Sequence, residues 1–218
     1  MIRRFDEKAN RILDEIIEAR RTIRAFAEEA PPREEIERLI RAGFLAPYAA
    51  LAVAGRPDFR RIVVLEKGTP AREEAARLVQ LRAQKMLGNV NQARGGAPLE
   101  GDREYAYLSR LKMLAENGHP SLAKAPFYIV VAEYQGVPAA GLQSLAHVLE
   151  NMWLKATALG MAFQLISVTE AMAQDEAFVR LLGLPVGEYV LDGCAVGYPA
   201  ADPPPAPRPD MASGVKWL

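Results

Sequence analysis

The run Arg20-Arg21-Thr22-Ile23-Arg24 is the densest cationic site in the sequence. Three guanidinium groups and a hydroxyl within five residues suit a phosphate, whose oxygens accept forked, charge-assisted hydrogen bonds. The same residues also suit a solvated basic patch paired with Glu18, Glu28 and Glu29. A second candidate lies near the far end of the chain, where Gly197-Tyr198-Pro199 leads into residues 202–209, five prolines in eight positions, with Arg208 among them. Prolines keep such an arm extended and lower the entropy cost of placing Arg208 on a partner.

Other reactive residue types are scarce. Cys194 is the only cysteine, and His119 and His147 the only histidines, among 218 residues. Zinc sites of cysteine and histidine cannot be assembled from that set, and no disulfide framework is available. Cys194 falls in a strand pattern without a nearby histidine, so it reads as a packed thiol, and His119, between Gly118 and Pro120, reads as a loop residue. Gln143, His147, Asn151 and Lys155 recur every fourth position and form one polar stripe, facing either a ligand, a partner or solvent. Trp217 reads as an anchor for the tail.

The elements that must position these residues follow from pattern. Half the chain is apolar and a quarter charged, an ordinary globular balance, and length favours a single domain over 1–218. The 27 basic and 27 acidic residues cancel, so no basic field exists for nucleic acid or an anionic membrane surface. The charge-free stretch 135–149 is too short to span a bilayer and contains Pro138 and two glycines. With no apolar run behind Met1-Ile2-Arg3-Arg4, the expectation is a cytoplasmic protein.

Ile12, Leu13, Ile16 and Ile17 predict an amphipathic N-terminal helix over about 6–19. A second helix follows Pro31-Pro32 and ends near Pro47. Arg61 to Leu65 predicts a first strand, and helices are expected at about 71–87 and 102–117, separated by Gly95-Gly96. Phe127 to Ala132 is apolar on both faces and predicts a central strand. A helix over 142–159, apolar almost all round, is expected to be buried. A strand over 162–168, a helix over 169–182 and a last strand over 189–196 complete the order, before an extended proline-rich arm over 200–218.

Several of these segments, in order, resemble the FMN-dependent nitroreductase family. They are Arg20-Arg21-Thr22-Ile23-Arg24-Ala25-Phe26, Pro32 to Ile36, Ala42-Gly43-Phe44-Leu45-Ala46-Pro47 and Arg61-Ile62-Val63-Val64. Later come Lys124-Ala125-Pro126, Asn151 to Ala156 before Ala158-Leu159-Gly160-Met161, Leu182 to Pro185, and Gly197-Tyr198-Pro199. The resemblance covers about 20–210, with 70–120 contributing little.

The resemblance implies an α+β fold with a mixed central sheet flanked by helices, a long buried helix at the interface of an obligate homodimer, and FMN bound between subunits. It implies that Arg20, Arg21 and Thr22 meet the flavin phosphate, that Arg208 returns to it, and that Arg24 approaches the N1/O2 edge of the ring. Leu165, Ile166, Ser167 and Val168 would supply backbone contacts to the ring, and Pro47, Tyr48 and Ala49 would line the cofactor. Tyr48 and Ala50 would face the substrate. The family usually has serine, asparagine and glutamine after the Ala-Pro pair, whereas this chain has Tyr48-Ala49-Ala50-Leu51-Ala52, so a less polar pocket is expected.

The implied activity is transfer of hydride from NAD(P)H through flavin N5 to a small electrophilic acceptor, a quinone or nitro compound, in two half-reactions without a catalytic side chain. Reductive dehalogenation, flavin breakdown, an FMN-storing or FMN-sensing protein without turnover, and a helical interaction module are the alternatives.

Overall fold

A computed structural model describes residues 4–95, 101–205, 207–210 and 214–217. Gly96 of the expected turn, parts of the proline-rich arm, and the first three residues and the last lie outside that set. Helix α1 (Glu7–Ala19) begins where Asp6 Oδ1 accepts the Ala9 amide proton at 2.8 Å, an N-cap that satisfies one otherwise orphaned donor. None of its residues is buried, despite the apolar stripe. Helix α2 (Arg33–Phe44) follows the two prolines, with Glu34 and Glu35 in its positive first turn.

Four strands form one sheet in the order β1-β2-β4-β3: β1 (Arg60–Glu66), β2 (Phe127–Tyr134), β3 (Ala162–Leu165) and β4 (Tyr189–Gly197). The α+β class is as expected, but the described strands pair antiparallel throughout rather than as a mixed sheet. The pairing Glu66↔Phe127 shows why for β1 and β2. Helices α4 (Pro70–Arg94), α5 (Asp102–Asn117) and α6 (Pro120–Lys124) return the chain to the end of the sheet it left, which antiparallel pairing requires.

Alternation along β2 and β4 sends side chains into two cores. Tyr128, Val130, Leu191 and Ala195 pack beneath α4 and the later short helices. Ile129, Val131, Cys194 and Val196 pack beneath α2 and α7 (Gly141–Ala158). Gly43 permits the close approach of α2 to α7, since a Cβ there would stand 3.0 Å from Met152 Sδ and 3.1 Å from Val148 Cγ1.

Three expectations change. Helix α7 is buried along one stripe, Leu145, Val148, Met152 and Ala156, and leaves Leu142 and His147 exposed. Strand β3 stops at Leu165 because Ser167 turns into helical geometry at φ −56°, ψ −22°. The single helix expected over 169–182 is broken into α8 (Val168–Ala171), a 3₁₀ turn (Met172–Gln174) and α9 (Glu176–Leu181). Asp175 causes the last break: its backbone is extended and its Oδ1 accepts the Phe178 amide proton at 3.0 Å, restarting the helix as an N-cap. A short helix α3 (Ala50–Val53) was also not expected. Among the described residues no helix is long and apolar enough to cross a membrane.

Candidate functional site

The cationic run is held between β3, α7 and the segment that follows β4. Ile23 N–H donates to the Phe163 carbonyl of β3 at 3.1 Å, Ala27 N–H to Tyr198 at 2.9 Å, and Ala200 N–H to Ala25 at 3.1 Å. From α7, Trp153 Nε1–H donates to the Arg21 carbonyl at 3.2 Å, while the Arg20 guanidinium lies 4.6 Å over the Trp153 ring and pairs with Glu150 at 3.0 Å. Backbone 20–27 is therefore fixed on three sides.

Arg20, Arg21, Thr22, Arg24 and Arg208, with the prolines of the arm, enclose a cavity of about 370 Å³. No carboxylate is among its lining residues. Arg21 Nη1 donates to the Pro204 carbonyl at 2.7 Å, and Arg208 Nη2 donates to the carbonyls of Arg20 and, at 2.9 Å, Glu18. Each arginine thus ties down the segment that carries the other.

Arg24 also lines a second, larger cavity of about 890 Å³. Leu165, Ser167 and Val168 are in its wall. The amides of Ser167 and Val168 open α8, and neither donates to any group among the described residues. Ile166, expected beside them, does not line the cavity: its side chain is buried in the core and its amide is spent on the Gly193 carbonyl at 2.8 Å.

Pro47, Tyr48, Ala49 and Ala50 line neither cavity. Tyr48 packs against Phe59 with the rings tilted 31° and their centroids 4.1 Å apart, beside the start of β1. Strand β3, from which the large cavity opens, is the opposite edge of the sheet, about 14 Å away at three strand spacings. The Arg60 guanidinium fixes the segment there, donating to the carbonyls of Gly43 at 3.0 Å, Ala46 at 2.9 Å and Pro47 at 3.3 Å while paired with buried Glu133.

The sequence reading missed the other half of the large cavity. Met86 of α4, Tyr107 and Arg110 of α5, and His119 complete its wall. His119 is buried and caps α6, its Nδ1 accepting the Ser121 amide proton at 3.3 Å. Burial first, and then the charges of Arg110 and Arg72, hold its pKa down at about 4, so near neutral pH its proton sits on Nε2. Ser121 Oγ–H bonds to Gln164 Oε1, turning the Gln164 amide donor away from it. The helix-start signal in His119-Pro120 was the available clue.

With this geometry in view, the nitroreductase family matches residues 17–198. The chain belongs to the nitroreductase family. No curated protein matches it. Among solved structures it is similar to a nitroreductase with bound FMN from Bacteroides fragilis NCTC 9343, with 20% identity and a TM-score of 0.70, covering 98% of this chain and 100% of that one. A nitroreductase with bound FMN from Desulfitobacterium hafniense DCB-2 gives 23% identity and 0.66, covering 94% and 97%. A BluB-like flavoprotein from Clostridium difficile 630 gives 18% and 0.69, covering 94% and 98%. These likenesses establish the nitroreductase fold for this chain.

Proposed function

We propose that this nitroreductase-family chain is an FMN-dependent oxidoreductase that passes hydride from NAD(P)H to a small electrophilic acceptor, a quinone or a nitro compound. The carrying observation is that Arg24 belongs to both cavities, so a compartment whose charged lining residues are all arginines adjoins a larger, mostly apolar one. That pairing suits a molecule with a phosphate at one end and a flat ring at the other.

Arg20, Arg21, Thr22 and Arg208 would hold the phosphate, exchanging some of their present bonds to carbonyls for stronger bonds to an anion. Arg24 would sit at the ring edge that gains negative charge on reduction, where a cation favours the reduced form. The free amides of Ser167 and Val168 would donate to polar atoms of the ring. When bound there, FMN supplies the hydride chemistry, and the protein supplies position and electrostatics.

Tyr48, Ala49 and Ala50 would reach this site only from a second copy of the chain, and we read the active form as a homodimer. Exposed apolar groups support this: Leu51 is 92% exposed and Leu45 73%, and Leu45 shares a groove with Leu13, Ile16 and Leu154. Such surface is normally covered.

An absorbance spectrum of the purified protein, with the released cofactor identified, followed by stopped-flow mixing with NADH and NADPH and then a quinone, tests the reading. Bleaching of the flavin followed by rapid recovery is expected. Bound FMN that neither nucleotide bleaches would favour a storage or sensing role instead.

A further inference from the structure

At about 890 Å³ the larger cavity is near the upper end of the roughly 300–1,000 Å³ usual for small-molecule sites, so a ring system leaves room for a second molecule. Helix α5 contributes Tyr107, Arg110, Leu111 and Leu114 to the cavity wall. Tyr107 and Arg110 are three positions apart on that helix, hence on one face, and both line the cavity.

Arg110 is the uncompensated charge of that wall. It makes no hydrogen bond or ion pair among the described residues, and its neighbours three and four positions away on α5 are Ala106, Tyr107, Met113 and Leu114. Lys112, by contrast, pairs with Glu116 at 3.8 Å. The only acidic residue lining the cavity, Glu170, lies on α8 and forms no ion pair with Arg110 among the described residues. His119, whose Nδ1 is already bonded, adds a neutral Nε2–H donor beside Arg110. Leu111, Leu114 and Met86 make the rest of this side apolar.

We propose that Arg110, with the Tyr107 ring and the Nε2–H of His119, forms a subsite for the anionic substituent, a carboxylate or sulfonate, of a flat aromatic acceptor. The proposal rests on the flavoenzyme reading above and narrows its substrate class. A guanidinium presents a planar fork to either anion, and an adjacent aromatic ring favours a flat partner. The diphosphate of NAD(P)H carries the same anion chemistry, so the two half-reactions must be measured apart.

The experiment compares 1,4-naphthoquinone-2-sulfonate with uncharged 2-methyl-1,4-naphthoquinone on the FMN-loaded parent, Arg110→Gln and Arg110→Lys. Arg110→Gln should raise KM for the sulfonate roughly ten- to hundredfold, the loss expected for one charge-assisted bond pair, and leave the uncharged quinone within about twofold. Arg110→Lys should recover much of the loss, and flavin reduction by NADH should not change. Equal losses for both quinones would overturn the proposal, as would a loss confined to the NADH step. Calorimetric titration with anthraquinone-2-sulfonate supplies a readout without turnover. If neither nucleotide reduces the flavin, the oxidoreductase reading fails while this titration still decides the subsite: binding to the parent that weakens in Arg110→Gln upholds it, and no binding to the parent overturns it.

Discussion

Arg208 donates from Nη2 to the main-chain carbonyl of Arg20, 188 positions earlier, and so closes the proline-rich arm over the end of α1. The same guanidinium lines the small cationic cavity. It therefore serves two partners, a set of helix-terminal carbonyls and the phosphate proposed to enter beside them. Arg208→Ala should weaken FMN binding roughly ten- to hundredfold, as loss of a charge-assisted bond of about 1.5–3 kcal/mol implies. Riboflavin, which lacks the phosphate, should be unaffected. Fluorescence titration of both flavins separates the roles, because equal losses would mean that Arg208 acts by tying down the arm.

Arg60 and Glu133 form an ion pair with both side chains about 1% exposed. Removing one partner strands the other charge, so Glu133→Ala should cost about 3–5 kcal/mol, read as a lower urea midpoint. Apolar replacement of both members often recovers such a loss. Here Arg60→Met with Glu133→Leu should not, because the carbonyls of Gly43, Ala46 and Pro47 would also lose their donor. Recovery to the parent midpoint would contradict this account.

Acid stability should reflect two opposed groups. Burial, with the charges of Arg110 and Arg72, lowers His119 from 6.5 to about 4, so between those values the unfolded chain holds the extra proton and stability rises with pH. Burial, reinforced by Glu170 and opposed by the Gly193 amide, raises Asp192 from 3.8 to about 6, so across that window the folded chain holds the extra proton and stability falls with pH. Each contribution is on the order of 3 kcal/mol. Between pH 4.5 and 6, His119→Asn should lose stability as pH rises and Asp192→Asn should gain it. Thermal midpoints with the same slope in both variants would show that these groups do not govern the window.

Assembly makes a further prediction. A homodimer that carries Tyr48 to the partner's cavity should cover Leu51, so Leu51→Glu should yield a monomer of about 24 kDa by sedimentation and bind FMN weakly. Tyr48→Phe should leave dimer and FMN affinity nearly unchanged and alter acceptor preference. A parent that sediments as a well-folded monomer with FMN bound would refute the arrangement.

Where a segment repeats at a clear period, the sequence reading and the structure coincide. The apolar run at 127–132 became the buried part of strand β2, and the helix expected at about 6–19 begins at its Asp6 cap. Both rest on local pattern, and local pattern survives folding. The four- and five-residue helices α3 and α6 have no period to detect. Asp175 was read as one polar residue in a helix, although its side chain competes for backbone protons and ends that helix. For the site, the arginines at 20–24 and Arg208 were legible by charge and spacing. Tyr107, Arg110 and His119 were not, because ordinary helix and loop residues become a cavity wall only when α5 and α6 are placed over β3. Ile166 fell on the wrong side for the opposite reason: alternation past the end of β3 turned it into the core.

The cationic run is stitched to residues 163, 198 and 200 by its own backbone. On a ribosome, Arg20 to Arg24 emerge early and wait while nearly the whole remaining chain is made. Neither the Ile23–Phe163 hydrogen bond nor the bridge between Phe26 and Pro199 can form before those residues are made. A nascent fragment ending short of residue 198 therefore displays the guanidinium groups without the enclosure that would retain a flavin phosphate. On the proposed reading, FMN would be held only once residues 198–208 have joined the cationic run, and a product truncated before them should not retain it.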